Sequence, residues 1–140
     1  LRVLAGVYPP TRGSVDTEGK IAPLFDISLG FDLEATGYDN ILLRGLLLGS
    51  SKSTIIDNMK GIIAFTGLGN YLEMPLRTYS SGMLMRLAFA IATATKPDII
   101  LMDEWIGVGD SAFMDQATQR LESFIDNLSC SSSYILLRFF

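Results

Sequence analysis

Residues 79–105, YSSGMLMRLAFAIATATKPDIILMDEW, decide the fold. A serine pair and a glycine open the stretch, and apolar residues at helical spacing follow. Ser80 or Ser81 can cap that helix with its hydroxyl, and the spacing predicts a helix from about Gly82 to Ala94. Lys96-Pro97 stops it, because the residue before a proline is pushed out of the helical region. The run DIILMDE is apolar and bounded by charges, as expected of a central parallel strand buried on both faces. It ends in Asp103 and Glu104. Ligands of open α/β sheets bind at the carboxyl ends of the strands. One carboxylate there can hold Mg²⁺, directly or through water, and the next can orient and polarise an attacking water. At the start of the stretch, the free amides of a first helical turn offer a place for phosphate, and Gly82 lets a ligand approach the backbone. Each half alone also fits a plainer reading: a capped, buried helix, and a core strand whose acids mark the exit to solvent.

The rest of the 140 residues narrows the choice. A hydrophobic fraction of 49% and a charged fraction of 19% argue for a packed domain over most of the length. A net charge of -4 does not favour nucleic acid as the partner. There is no histidine and one cysteine, Cys130, so disulfide frameworks, structural zinc and Ser–His or Cys–His catalysis within the chain are excluded. Arg44 and Arg86 interrupt the longest apolar runs, and no direct membrane insertion is expected.

Along the chain, residues 1–7 read as a helix already under way, broken by YPPTRGS. SVDTEGKIAPLFDIS reads as two short strands joined at Glu18-Gly19. A helix is expected from Tyr38 to Leu48, and another, capped by Ser53 or Thr54, to about Gly67. LGNYLEMPLRTYSS reads as irregular. Residues 113–128 predict an amphipathic helix with Phe113, Ala117, Leu121, Phe124 and Leu128 on one side. SYILLRFF reads as a strand-like tail. The alternation argues an α/β layer architecture without internal repeat or linker.

Taken together, the capped helix about twenty residues before a strand ending Asp-Glu resembles the signature and Walker B motifs of ATP-binding-cassette (ABC) ATPases, in their order and spacing. YSSGM stands at the signature, IILMDE at Walker B, and GVGD, with Asp110, at the loop that crosses to the opposite subunit. YSSGM, DEWIGVGDSAF and GFDLEATGYDNI further resemble the ATPase subunits of O-antigen, capsule and teichoic-acid exporters. LFDISLGF resembles the loop joining core to helical subdomain; Asp26 stands where most families carry glutamine and this subfamily often carries glutamate. The resemblance covers Leu1 to about Asn127.

It implies a partial P-loop NTPase domain spanning residues 1–140, with a parallel sheet core and a helical signature subdomain at about 37–95. It implies ATP and Mg²⁺ as cofactors, Glu104 as general base and Asp103 on the metal. Ser80, Ser81 and Gly82 would contact ATP held by the opposite subunit, Asp110 would couple the two sites, and Asp26 would join the metal–water network. The implied partners are a second ATPase subunit, as a homodimer in the intact protein, and a transmembrane permease met by GFDLEATGYDNI. The implied place is the cytoplasmic face of the bacterial inner membrane, with peripheral attachment.

The phosphate loop G-x-x-x-x-G-K-[ST] is not found. The nearest stretch, GLLLGSSKST from Gly45, has Leu46 and Ser51 where glycines belong if Lys52 is its lysine. LRVLAGVYPPTRGS fits the continuation of the helix that follows that loop in the family, so a truncated chain, inactive alone, is expected. The family's switch histidine has no counterpart either. Two alternatives stand beside this reading: a non-catalytic module that dimerises with an intact homologue, and a soluble ABC protein of repair or translation, against which YSSGM and VGDSAF argue.

Overall fold

The computed structural model describes residues 2–24, 30–101 and 111–126. In chain order these form strand β1 (Ile21–Pro23), helices α1 (Gly37–Leu47), α2 (Lys52–Thr66) and α3 (Ser81–Ala94), strand β2 (Ile99–Leu101) and helix α4 (Ser111–Asp126). Two 3-10 turns, Gly69–Glu73 and Leu76–Thr78, fill the stretch between α2 and α3 that reads as irregular.

The strands pair in parallel, with Ile21 opposite Ile99, Ala22 opposite Ile100 and Pro23 opposite Leu101. The Leu24 amide extends the ladder to the Leu101 carbonyl at 2.8 Å. All three residues of β2 are buried, as the apolar run predicts. Where the pair begins, the Asp98 and Ile99 amides donate to the Lys20 carbonyl at 2.9 and 3.0 Å. The Lys20 amide donates to Asp98 Oδ2 at 2.7 Å. Gly19 makes this junction possible: its φ is +109°, and a Cβ there would stand 2.7 Å from Asp98 Cβ.

Two expectations need correction. Of the two strands expected in SVDTEGKIAPLFDIS only β1 forms, and residues 14–18 are irregular. A strand needs a ladder partner for its amides, and the described residues give 14–18 none. Residues 2–7 are not a helix but a turn, closed by Gly6 N to Val3 O (3.1 Å) and Val7 N to Arg2 O (2.9 Å). Gly6, with φ +72°, leaves the helical region before the costly first turn can propagate.

The helices start where hydroxyls cap them. Thr36 opens α1 through a capping box: Thr36 Oγ1 accepts from the Asp39 amide, and Asp39 Oδ2 accepts from the Thr36 amide, each at 3.2 Å. Ser51, rather than Ser53 or Thr54, caps α2 by accepting from the Thr54 amide at 3.2 Å. Lys52 is thus the first residue of a helix, and GLLLGSSKST is a helix end, a turn and a helix start. Gly67, at φ +63°, closes α2 in the left-handed region.

The apolar residues pack in two groups that share α3. One joins α1, α2, the 3-10 turns and α3 through Ile41, Ile55, Leu72, Leu76, Leu87 and Ile91. The other joins the strands, α3 and α4 through Ala22, Leu24, Met85, Phe89, Ile100 and Phe113. Three rings link them: Phe65 of α2 stacks on Phe89 of α3 at 5.8 Å, and Phe113 of α4 meets their edges at 5.7 and 6.1 Å. On α4, Phe113 and Ala117 are buried and Leu121 and Phe124 half-buried, as the amphipathic spacing predicts. Leu128, Cys130 and SYILLRFF lie outside the described residues. Among the described residues no helix is long and apolar enough to cross a membrane.

Candidate functional site

The site is built from the turn that delivers the chain to α3. Asn40, fully buried in the first turns of α1, is its anchor. Its amide nitrogen donates to the carbonyls of Asp32 (2.8 Å), Thr36 (2.9 Å) and Ala35 (3.3 Å), and its Oδ1 accepts from the Asp32 amide (2.8 Å). One side chain therefore ties down four backbone groups of segment 32–36, and it is the partner of both the amide and the carbonyl of Asp32. That segment is tied in turn to the second 3-10 turn. The Leu76 amide donates to Ala35 O at 3.1 Å, the Arg77 amide to Leu33 O at 2.9 Å, and Thr36 bridges Pro75. Arg77 Nε also pairs with Glu34 at 3.2 Å; both side chains are well exposed, so this ion pair adds little.

Tyr79 carries the rigidity forward. Its ring is buried, and its hydroxyl donates to the Tyr71 carbonyl at 2.6 Å. Gly37 passes so close that a Cβ there would stand 2.5 Å from that hydroxyl. Burial, and then the neighbouring Tyr38, hold the Tyr79 pKa above its ordinary value.

The next residue is the cap of α3. Of Ser80 and Ser81 it is Ser80 whose Oγ accepts, from the Met83 amide at 3.2 Å. The amides of Ser81 and Gly82 have no acceptor within a helix that starts here. Ser80 and Ser81 are exposed and Gly82 is half-buried. No acidic side chain occupies the first turn to neutralise the positive end of the dipole. Among the described residues, a Cβ at Gly82 would meet nothing nearer than Ser80 Oγ, at 3.9 Å, so their packing does not require glycine there. The three residues expected at the signature are brought together at the N-terminus of α3, where free amides and the positive end of the dipole favour an anion.

The other expected site residues, Asp26, Asp103, Glu104 and Asp110, lie outside the described residues. Among the described residues, β1 and β2 run parallel with Pro23 opposite Leu101. Among the described residues no group of three metal-ligating side chains is found. Sequence reasoning missed Asn40 and Tyr79. A lone asparagine or tyrosine carries no spacing signal, although Thr36-x-x-Asp39 was a legible cap.

The sequence pattern of the ABC transporter family matches residues 1–107. The chain belongs to the ABC transporter family. The O-antigen export system ATP-binding protein RfbE of Yersinia enterocolitica is 45% identical over 125 residues, 89% of this chain and 52% of that protein. The O-antigen export system ATP-binding protein RfbB of Klebsiella pneumoniae is 41% identical, over 89% of this chain and 50% of its own length. The teichoic acids export ATP-binding protein TagH of Listeria monocytogenes is 39% identical, over 87% of this chain and 36% of its own. The chain spans about half, or less, of the curated relatives it matches. A solved ATP-binding subunit of an ABC transporter superposes with a TM-score of 0.80 at 16% identity, covering 98% of this chain and 60% of that one. A dimeric ATP-binding cassette bound to ADP and phosphate superposes at 0.64 and 20% identity, over 86% of this chain and 53% of its own. Within this ABC chain the fold is the α/β ATPase domain in part: a small parallel sheet with four helices.

Proposed function

We propose that the chain is part of the ATP-binding subunit of an exporter of a polysaccharide or lipid-linked glycan, and that its α3 terminus closes over ATP held by a second ATPase subunit. The observation that carries this reading is the terminus itself. Ser80 caps the helix, the Ser81 and Gly82 amides have no intrahelical acceptor, and the space over Gly82 is clear. The γ-phosphate of ATP supplies the anion, and Ser81 adds a hydroxyl. Glu104 serves as general base, Asp103 positions Mg²⁺, Asp26 joins the metal–water network, and Asp110 couples the two sites. Residues from about 37 to 95 form the helical subdomain, and segment 30–41 meets a transmembrane permease at the cytoplasmic face of the membrane. The exporter relatives and the ABC family membership support this reading.

The 140 residues hold no glycine-rich lysine loop, and the grip on the β- and γ-phosphates depends on such a loop. The chain alone therefore turns over no ATP. Steady-state phosphate release from the purified chain, compared with Glu104→Gln, tests this: equal rates are expected, and a rate well above the variant's would overturn it. The same absence favours a second reading, a non-catalytic module that completes one of two sites on an intact homologue. ATPase activity in a mixture with an intact subunit separates the two: Glu104→Gln lowers it only if this chain's carboxylate is catalytic.

A further inference from the structure

Between α2 and α4, away from the α3 terminus, lies an open groove of about 630 Å³ lined by Gly61, Ala64, Phe65, Gln116, Gln119 and Arg120. Arg120 lies over the Phe65 ring at 4.3 Å from its centroid, half-buried, and burial lowers its pKa. A guanidinium taken partly out of water is normally compensated by a carboxylate. Among the described residues none answers it: the ion pair found there is Arg77–Glu34. The described lining contains no acidic side chain, but it does contain two primary amides one helical turn apart on α4. Gly61 and Ala64 keep the opposite wall low, and a Cβ at Gly61 would meet nothing within 4 Å.

We infer that this groove binds a small organic carboxylate, held by the edge of the Arg120 guanidinium with Gln116 and Gln119 donating beside it. The ring of Phe65 covers one side of the guanidinium, and its N–H groups are the donors offered to a ligand. A planar carboxylate matches that fork with two parallel hydrogen bonds. A ligand here would touch α2 and α4 at once, and so pin the helical layer to the sheet layer beside the Phe65–Phe89–Phe113 cluster.

Thermal unfolding of the full chain in succinate, in inorganic phosphate and in sodium chloride, at matched ionic strength, tests the inference. A ligand that binds only the folded chain raises the midpoint with its concentration. Succinate is expected to raise it saturably above the chloride control. Arg120→Ala and, separately, Gln119→Ala are each expected to weaken the apparent affinity by about tenfold or more. Arg120→Lys keeps the charge but not the fork, and is expected to recover only part of the effect. The same succinate shift in wild type and Arg120→Ala would overturn the site. A saturable shift larger in phosphate than in succinate would overturn the carboxylate assignment.

Discussion

Gly82 is half-buried, yet none of the described residues stands closer than 3.9 Å to where its Cβ would be. Under the proposed function, this glycine at the first turn of a helix leaves room for the phosphate that approaches from outside. Gly82→Ala is therefore expected to leave folding stability unchanged or raise it by up to about 1 kcal/mol, because alanine is the better helix former. The same change is expected to abolish ATP-dependent assembly with a second subunit. Urea unfolding and an assembly assay, read together, check the pair. Asn40 is the opposite case, since its work is wholly internal. Asn40→Ala removes the hydrogen bonds that hold the Asp32 backbone and is expected to cost about 1–3 kcal/mol, measured by urea unfolding. Tyr79 adds a pH dependence. Its pKa is raised in the folded chain, so its contribution is complete below the unfolded value near 10 and is lost as pH climbs through the folded value. Wild type is expected to lose stability over that alkaline window more steeply than Tyr79→Phe, in pH-dependent thermal unfolding.

At the scale of elements, α3 binds the two packed groups together. Its buried side faces Leu72 and Leu76 in one group and Ala22 and Ile100 in the other. The three-ring cluster of Phe65, Phe89 and Phe113 reinforces that seam. Phe113→Ala is expected to cost about 3–5 kcal/mol, measured by urea unfolding. Phe113→Leu should recover a large part, since it keeps most of the volume. α3 was also the most legible element: capping serines, helical apolar spacing and the Lys96-Pro97 stop all agree. Its observed bounds, Ser81–Ala94, fall within a residue of those expected. β2 was legible because a short apolar run between charges has few other fates. The strand expected just before β1 and the helix expected over residues 1–7 were misread, because both depended on partners that local spacing does not encode. The cap of α2 was placed two or three residues late, since three neighbouring hydroxyls, Ser51, Ser53 and Thr54, carry the same local signal and only the turn selects Ser51. In the site, the α3 terminus could be read from a tripeptide. Asn40 and Tyr79, which hold it, could not, because their partners are carbonyls eight residues away.

At the scale of the whole molecule, the chain presents a helix terminus with a fixed mount and lacks the lysine loop that would hold a nucleotide from the other side. Its apolar surface is not all spent inside: Leu33, Tyr71 and Met74 are exposed on the segments leading toward α3. The proposed function places such a chain in an assembly. The central claim is that Ser80–Gly82 engages ATP bound by another subunit. Sedimentation velocity of the chain mixed with an intact exporter ATPase subunit, whose general-base glutamate is changed to glutamine so that ATP persists, tests it most directly. The account predicts a complex that forms with ATP and Mg²⁺, dissociates with ADP, and is lost in Gly82→Ala although that variant unfolds at the wild-type midpoint or above. A complex indifferent to nucleotide and to Gly82→Ala, or no complex at all, would contradict it.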